Sequence, residues 1–212
     1  MKIPLVPLLR MTPNQKQYVS LLQDPLYSLI VCTGPAGSGK TAFACRTGLE
    51  LLKQKYYQQI VITKPLIPVG DDMGYLPGNI RSKMSPWIES YLDIFKEYYS
   101  MPQIEDMIKK DVIKLAPLAY CRGNTYTSSF VICDESQNTT PNQMKMLLTR
   151  MGQQSKMVMI GDTEQQDIPG LSGLSDFLSR YDGTCEEIAP CHLTGEDVCR
   201  SSLVKYLLSN VY

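Results

Sequence analysis

The segment Gly34-Pro35-Ala36-Gly37-Ser38-Gly39-Lys40-Thr41 fits the phosphate-loop pattern G-x-x-x-x-G-K-S/T at every fixed position. Each residue type has a physical task there. Glycines let successive backbone N–H groups curl around phosphate oxygens, and the start of a following helix adds partial positive charge. Lys40 is expected to neutralise the β and γ phosphates of a nucleotide, and the Thr41 hydroxyl to ligate Mg²⁺.

A second set lies at Phe130-Val131-Ile132-Cys133-Asp134-Glu135, an apolar strand ending in two acids. Asp134 is expected to hold the magnesium, directly or through water, and Glu135 to polarise an attacking water as general base. An Asp-Glu pair after a strand is common as a solvated turn; the phosphate loop is what gives this one meaning. A third strand, Lys156 to Ile160, runs into Gly161-Asp162-Thr163-Glu164-Gln165-Gln166-Asp167, polar groups placed to sense a γ-phosphate or simply to form an acidic loop.

Elements must bring these sets together. Short apolar, β-branched runs predict strands at Ser28 to Thr33, Gln59 to Thr63, Val112 to Ala119, Ser129 to Cys133 and Lys156 to Ile160. Ala42 to Gln54 reads as the helix leaving the phosphate loop. Thr12-Pro13-Asn14-Gln15 and Thr140-Pro141-Asn142-Gln143 each read as a capping box with Pro at the first helical position. Trp87, Tyr91 and Phe95 recur at helical spacing, which makes one helix face apolar. Buried strands separated by helices imply an α/β fold, a three-layer sandwich around a mainly parallel sheet, with chemistry beyond the carboxyl ends of the strands. With no internal repeat or linker, residues 1–212 are expected to form one domain.

The 212 residues carry 21 basic and 21 acidic side chains, so net charge cannot drive binding to nucleic acid or anionic membrane. The charge is unevenly spread: residues 1–70 hold eight basic and two acidic groups, residues 162–212 three and nine. Each segment then either shows its surplus to water or meets its opposite head to tail in an oligomer. No apolar stretch reaches the length of a membrane span, and the opening Met1-Lys2-Ile3-Pro4-Leu5-Val6-Pro7 is interrupted by two prolines, so neither membrane insertion nor secretion is expected. Seven cysteines, several in apolar segments, suit a reducing cytoplasm, and the spacing of Cys185, Cys191, His192 and Cys199 matches no common zinc site.

Together these motifs make the chain resemble the PhoH family of P-loop ATPases, which are related to the first motor domain of superfamily 1 helicases. Further stretches that carry the resemblance are Thr63-Lys64-Pro65, Gly74-Tyr75-Leu76-Pro77-Gly78, Arg122-Gly123-Asn124-Thr125, Asp134-Glu135-Ser136-Gln137-Asn138-Thr139-Thr140, Gly161-Asp162 and Asp197-Val198-Cys199-Arg200. The resemblance implies a RecA-like ATPase fold, ATP with Mg²⁺, homo-oligomers such as a hexameric ring, and a connection to RNA or single-stranded DNA, RNA preferred. It also implies roles for three residues: Gln165 as a γ-phosphate sensor, Gln15 as reader of adenine in competition with its capping role, and Arg200 as a finger on the transferring phosphoryl group. Lys64 stands where the family usually has arginine, which keeps the charge and loses the planar fork. Nucleic-acid contacts are looked for at Lys64, Arg81, Lys83, Trp87 and Arg122.

The leading expectation is an ATP-hydrolysing enzyme coupled to single-stranded nucleic acid. The alternative is a nucleotide-gated interaction module with slow turnover and no such coupling. A small-molecule kinase is disfavoured because no lid is recognisable and Glu135 directly after Asp134 suits water activation.

Overall fold

Strands form where the sequence is apolar on both faces. The computed structural model describes residues 11–66 and 86–198. Its sheet contains β1 (Leu29–Thr33), β2 (Gln59–Lys64), β3 (Ile113–Pro117), β4 (Ser129–Cys133), β5 (Lys156–Gly161) and β6 (Ile188–His192) in the order β3-β2-β4-β5-β1-β6. Every pairing is parallel. All residues of β1, β4 and β5 are buried, as strands covered on both faces must be.

Helices cover the two faces. On one side α1 (Pro13–Gln23), α2 (Lys40–Lys53), α3 (Pro86–Lys96) and α4 (Met101–Lys109) bury Tyr18, Phe43, Leu49, Tyr91, Phe95 and Ile104 against Ile30, Ile60, Ile62, Phe130 and Ile132. On the other, α5 (Pro141–Leu148) and α6 (Gly173–Arg180) place Met144, Leu147 and Leu174 against Val31, Val61, Val131, Met157 and Met159. Alternate residues of each strand serve alternate faces, so the expected three-layer α/β sandwich with a parallel sheet is the observed one.

Both capping boxes form. Thr12 Oγ1 accepts from the Gln15 amide at 3.2 Å while Gln15 Oε1 accepts from the Thr12 N–H at 3.1 Å. At α5, Thr140 and Gln143 exchange the same two bonds at 3.3 and 2.8 Å.

Two differences from the expected elements have clear causes. The strand expected over residues 112–119 stops at Pro117, which has no N–H to donate to the ladder, and the chain turns into a 3-10 segment, Leu118–Cys121. The sixth strand was not anticipated: β6 is an edge strand with a half-exposed alternating pattern and Pro190 in its middle, which weakens the sequence signal.

Among the described residues, no helix is long and apolar enough to cross a membrane.

Candidate active site

Topology places the two acid-bearing loops and the phosphate loop at one end of the sheet. The phosphate loop leaves β1, the Asp134-Glu135 pair leaves β4, and β5 lies between them. The carboxyl ends of the three strands therefore bound a single cavity of about 370 Å³, lined by Ala36, Gly37, Gly39, Lys40, Thr41, Asp134, Glu135, Gly161, Asp162 and Gln165, with Ser90 and Ile94 of α3 closing one side. A larger cavity of about 620 Å³ lies at the other end of the sheet, beside Tyr27, Tyr56, Tyr57, Gln153 and Glu187. It brings together no comparable set of charged and nucleophilic groups, so the smaller one is the candidate site.

The loop geometry follows from its glycines. Gly34, Gly37 and Gly39 have φ of +142°, +81° and +92°, which side chains disfavour. A Cβ on Gly34 would lie 2.2 Å from the Leu193 carbonyl oxygen, so β6 can exit beside the loop only if that position is bare. Gly39 is the left-handed N-cap of α2, which starts at Lys40, slightly before the expected Ala42. Pro35 anchors the bend by accepting from the Ser38 hydroxyl at 2.8 Å.

Lys40 is 8% exposed, and its Nζ donates to the carbonyls of Gly34 at 2.6 Å and Pro35 at 2.9 Å. Burial pulls its pKa down, while Cys32, Asp162, Asp134 and Glu135 nearby favour the charged form. Thr41 Oγ1 lies 3.1 and 3.0 Å from the two carboxylate oxygens of Asp134, so the hydroxyl and carboxylate expected to share a metal adjoin each other. Burial pushes the Asp134 carboxyl up; hydrogen bonds from Tyr91 and Thr41 act against it, whereas the Glu135 charge adds to it. Glu135, by contrast, is exposed to the cavity, within reach of solvent.

The donor set fits Mg²⁺. One hydroxyl and one buried carboxylate are hard oxygen ligands, and this ion usually takes only one or two protein carboxylates together with phosphate oxygens. Among the described residues, no group of three His, Cys, Asp or Glu could hold a metal by itself. Such an ion would be held jointly with a nucleotide.

Gln15 is fully buried. Its Nε2 donates to the carbonyls of Ser38 at 3.0 Å and Asp197 at 2.8 Å, while its Oε1 serves the capping box, so it ties α1 to the phosphate loop and to the turn after β6. Gln165 lines the cavity, and its backbone carbonyl accepts from Gln137. Arg200, Arg81, Lys83 and the Trp87 side chain lie outside the described residues. Lys64, at the end of β2, lines a neighbouring cavity together with Glu135, and the exposed Arg122 follows the 3-10 segment after β3.

Sequence patterns missed two groups. Tyr91 fits the apolar face of α3, yet its hydroxyl donates to Asp134 Oδ2 at 2.7 Å. A Tyr on an otherwise apolar stripe is the only hint, since a buried phenol usually finds a partner. Gln137 donates to Glu135 Oε2 at 2.7 Å and accepts from the Asp162 N–H at 3.1 Å, joining the loops after β4 and β5.

A parallel α/β sheet with a phosphate loop after β1 and paired acids after β4 defines a P-loop NTPase. The profile of the family described as PhoH-like protein matches residues 8–212, and the chain belongs to that family. It is 37% identical to a PhoH-like protein of Synechocystis over 202 residues, 93% of this chain and 60% of that one. It is 36% identical to a Bacillus subtilis PhoH-like protein, covering 93% and 61%, and 34% identical to Protein PhoH of Escherichia coli K12, covering 95% and 57%. The chain thus spans about 60% of the length of these curated relatives. Among solved structures, the Sulfolobus solfataricus SWI2/SNF2 ATPase core in complex with dsDNA superposes with a TM-score of 0.51 at 15% identity, covering 91% of this chain and 46% of that one. At that identity the likeness is one of fold.

Proposed function

We propose that the chain hydrolyses ATP, with Mg²⁺, by attack of water on the γ-phosphate. The observation that carries this reading is the convergence of Lys40, Thr41, Asp134, Glu135 and Gln165 on one cavity from three separate strand ends. Loop N–H groups and Lys40 would bind the phosphates, Lys40 exchanging its two carbonyl partners for phosphate oxygens. When bound, Mg²⁺ supplies charge neutralisation to the β and γ oxygens, and Thr41 and Asp134 are the residues to hold it. Glu135, exposed at the cavity, takes the proton of the attacking water, and Gln165 meets the γ-phosphate from the opposite loop.

In this reading Gln15 keeps the loop in place from its buried position, and Arg200 completes the site from the same or a neighbouring subunit. Coupling to single-stranded RNA or DNA through the face around Lys64 and Arg122, and assembly into a homo-oligomer in the cytoplasm, belong to the same proposal. The solved structure of similar fold that is in complex with dsDNA supports the first of these by fold alone.

Steady-state ATP hydrolysis with and without single-stranded RNA or DNA tests it, with Lys40→Ala as the control. Lysine-dependent turnover raised by the polymer is the expected result. Lysine-dependent turnover indifferent to both polymers leaves the nucleotide-gated module as the better description. No lysine-dependent turnover rejects hydrolysis altogether.

A further inference from the structure

The loops that carry Glu135 and Gln165 are fastened to each other by a pair of residues outside the proposed chemistry. Asn138 Nδ2 donates to Asp167 Oδ2 at 3.0 Å, and the Asp167 backbone N–H donates back to Asn138 Oδ1 at 2.8 Å. One neutral amide thereby supplies both the donor and the acceptor that a carboxylate and its own N–H require. Asn138 is 5% exposed, so its bonds are shielded from competing water on one side. Gln137 adds parallel ties from the same turn to Asp162 and to the Gln165 carbonyl.

Two features show that this joint is built. Glu135 has φ +53° and ψ +39°, a left-handed conformation that a side-chain-bearing residue keeps only where its surroundings over-determine it. A Cβ on Gly161 would come within 2.8 Å of Gln137 Oε1 and 3.1 Å of its backbone nitrogen, so the two loops can lie this close only over a glycine.

We propose that Asn138 and Asp167 are positioning residues that hold the Glu135 loop and the Gln165 loop in one register, so that the base and the γ-phosphate-facing amide keep a fixed separation. The inference rests on the hydrolytic reading above. It predicts loss of kcat with KM for ATP preserved, because the phosphate cradle on β1 is untouched by the joint.

The geometry supplies its own rescue. Asn138→Asp retains the acceptor for the Asp167 N–H but sets carboxylate against carboxylate; adding Asp167→Asn restores a donor across the same contact. Asn138→Asp is expected to lower kcat about tenfold to a hundredfold with KM changed less than about twofold, and the double variant to recover most of it. Asp167→Ala, which removes the acceptor without adding charge, is expected to lower kcat in the same KM-neutral way, and it serves if Asn138→Asp does not fold.

Amide hydrogen exchange over residues 162–167, measured without nucleotide on the same proteins, should rise in both single variants and fall again in the double. This readout is independent of turnover. Absence of lysine-dependent hydrolysis in the unaltered chain would sink the hydrolytic reading, and with it the proposed role in turnover, while exchange would still decide whether the joint holds. Wild-type kcat in Asp167→Ala, a double variant no better than Asn138→Asp, or unchanged exchange in the single variants overturns the inference.

Discussion

At the scale of single residues, the consequential contacts are those that set the state of a buried charge. Asp134 is nearly enclosed, and the Tyr91 hydroxyl at 2.7 Å is one of the donors that make its ionised form tolerable there. Tyr91→Phe should leave the helix packed but remove a hydrogen bond to the carboxylate proposed to hold the metal. We expect Mg²⁺-dependent nucleotide binding to weaken about tenfold, with metal-free nucleotide binding unchanged, in a Mg²⁺ titration of a fluorescent nucleotide. Equal loss with and without metal would place Tyr91 in packing alone. Glu135→Gln should behave in the opposite way, keeping nucleotide binding and lowering turnover by about 10² to 10⁴; unchanged turnover would remove the base assignment. Another buried charge lies far from this chemistry. Lys156 is 2% exposed, with Nζ donating to the carbonyls of Leu21 at 3.2 Å and Asp24 at 2.6 Å, and burial brings its pKa down to about 8. A base whose folded pKa lies below its unfolded value binds fewer protons when folded, so its cost is fully present below pH 8 and is relieved as pH rises toward the unfolded value near 10.5. The stability of Lys156→Met relative to the unaltered chain should therefore be constant below pH 8 and fall above it. Urea unfolding of both proteins at a series of pH values measures this difference, in which the titration of cysteines and tyrosines largely cancels. A flat difference from pH 7 to 10 would contradict the burial argument.

At the scale of elements, what could be read in the sequence was whatever depends on neighbours a few residues apart. The capping boxes of α1 and α5 span four residues, the phosphate loop eight, and the central strands are short continuous apolar runs, so each declared itself. The contact between Tyr91 and Asp134 joins residues 43 apart, and that between Asn138 and Asp167 residues 29 apart; no periodicity encodes either. Edge strand β6 was hidden because one side of it makes no ladder bonds, which leaves it free to carry Pro190 and alternate with solvent. Close approach of elements was likewise invisible until the fold was seen. Gly173 begins α6 against the turn that follows Glu135: its N–H donates to the Thr139 carbonyl at 2.7 Å, and a Cβ there would lie 2.6 Å from the Thr140 carbonyl oxygen and 2.8 Å from Met144 Cβ. Because backbone must move to admit it, Gly173→Ala should cost about 1–3 kcal/mol of unfolding free energy, read as a lower urea midpoint, outweighing the helix propensity gained over glycine. Stability equal to or above that of the unaltered chain would mean that α6 can shift away from this turn at no cost.

At the scale of the whole molecule, the phosphate loop is a junction as much as a binding site. Gly34 donates to the Gly161 carbonyl of β5 at 3.2 Å, Ser38 accepts from Gln15 of α1, and Leu193, just beyond β6, lies against Gly34. Asp197 fixes the far side of this junction by accepting from the Thr12 hydroxyl, from Asn14 Nδ2 at 3.1 Å and from the Thr194 N–H at 2.6 Å. A ligand held by the loop is therefore coupled to α1, β1, β5 and the segment after β6 together, and its binding energy should appear as stability of the whole sheet. At a free ADP·Mg²⁺ concentration 100 times its dissociation constant, binding to the folded state alone contributes about 2.7 kcal/mol. For a chain of this size that corresponds to a rise in Tm of about 5–10 °C. ADP is the suitable probe because it is not consumed, so the shift reports the cradle separately from the base. Lys40→Ala should abolish most of the shift, since Lys40 is the cation poised over the loop, whereas Glu135→Gln should retain it. Should the unaltered chain show no shift at saturating ADP·Mg²⁺, Lys40 would have to be a structural pin for the Gly34 and Pro35 carbonyls, and the nucleotide reading of the loop would fail with it.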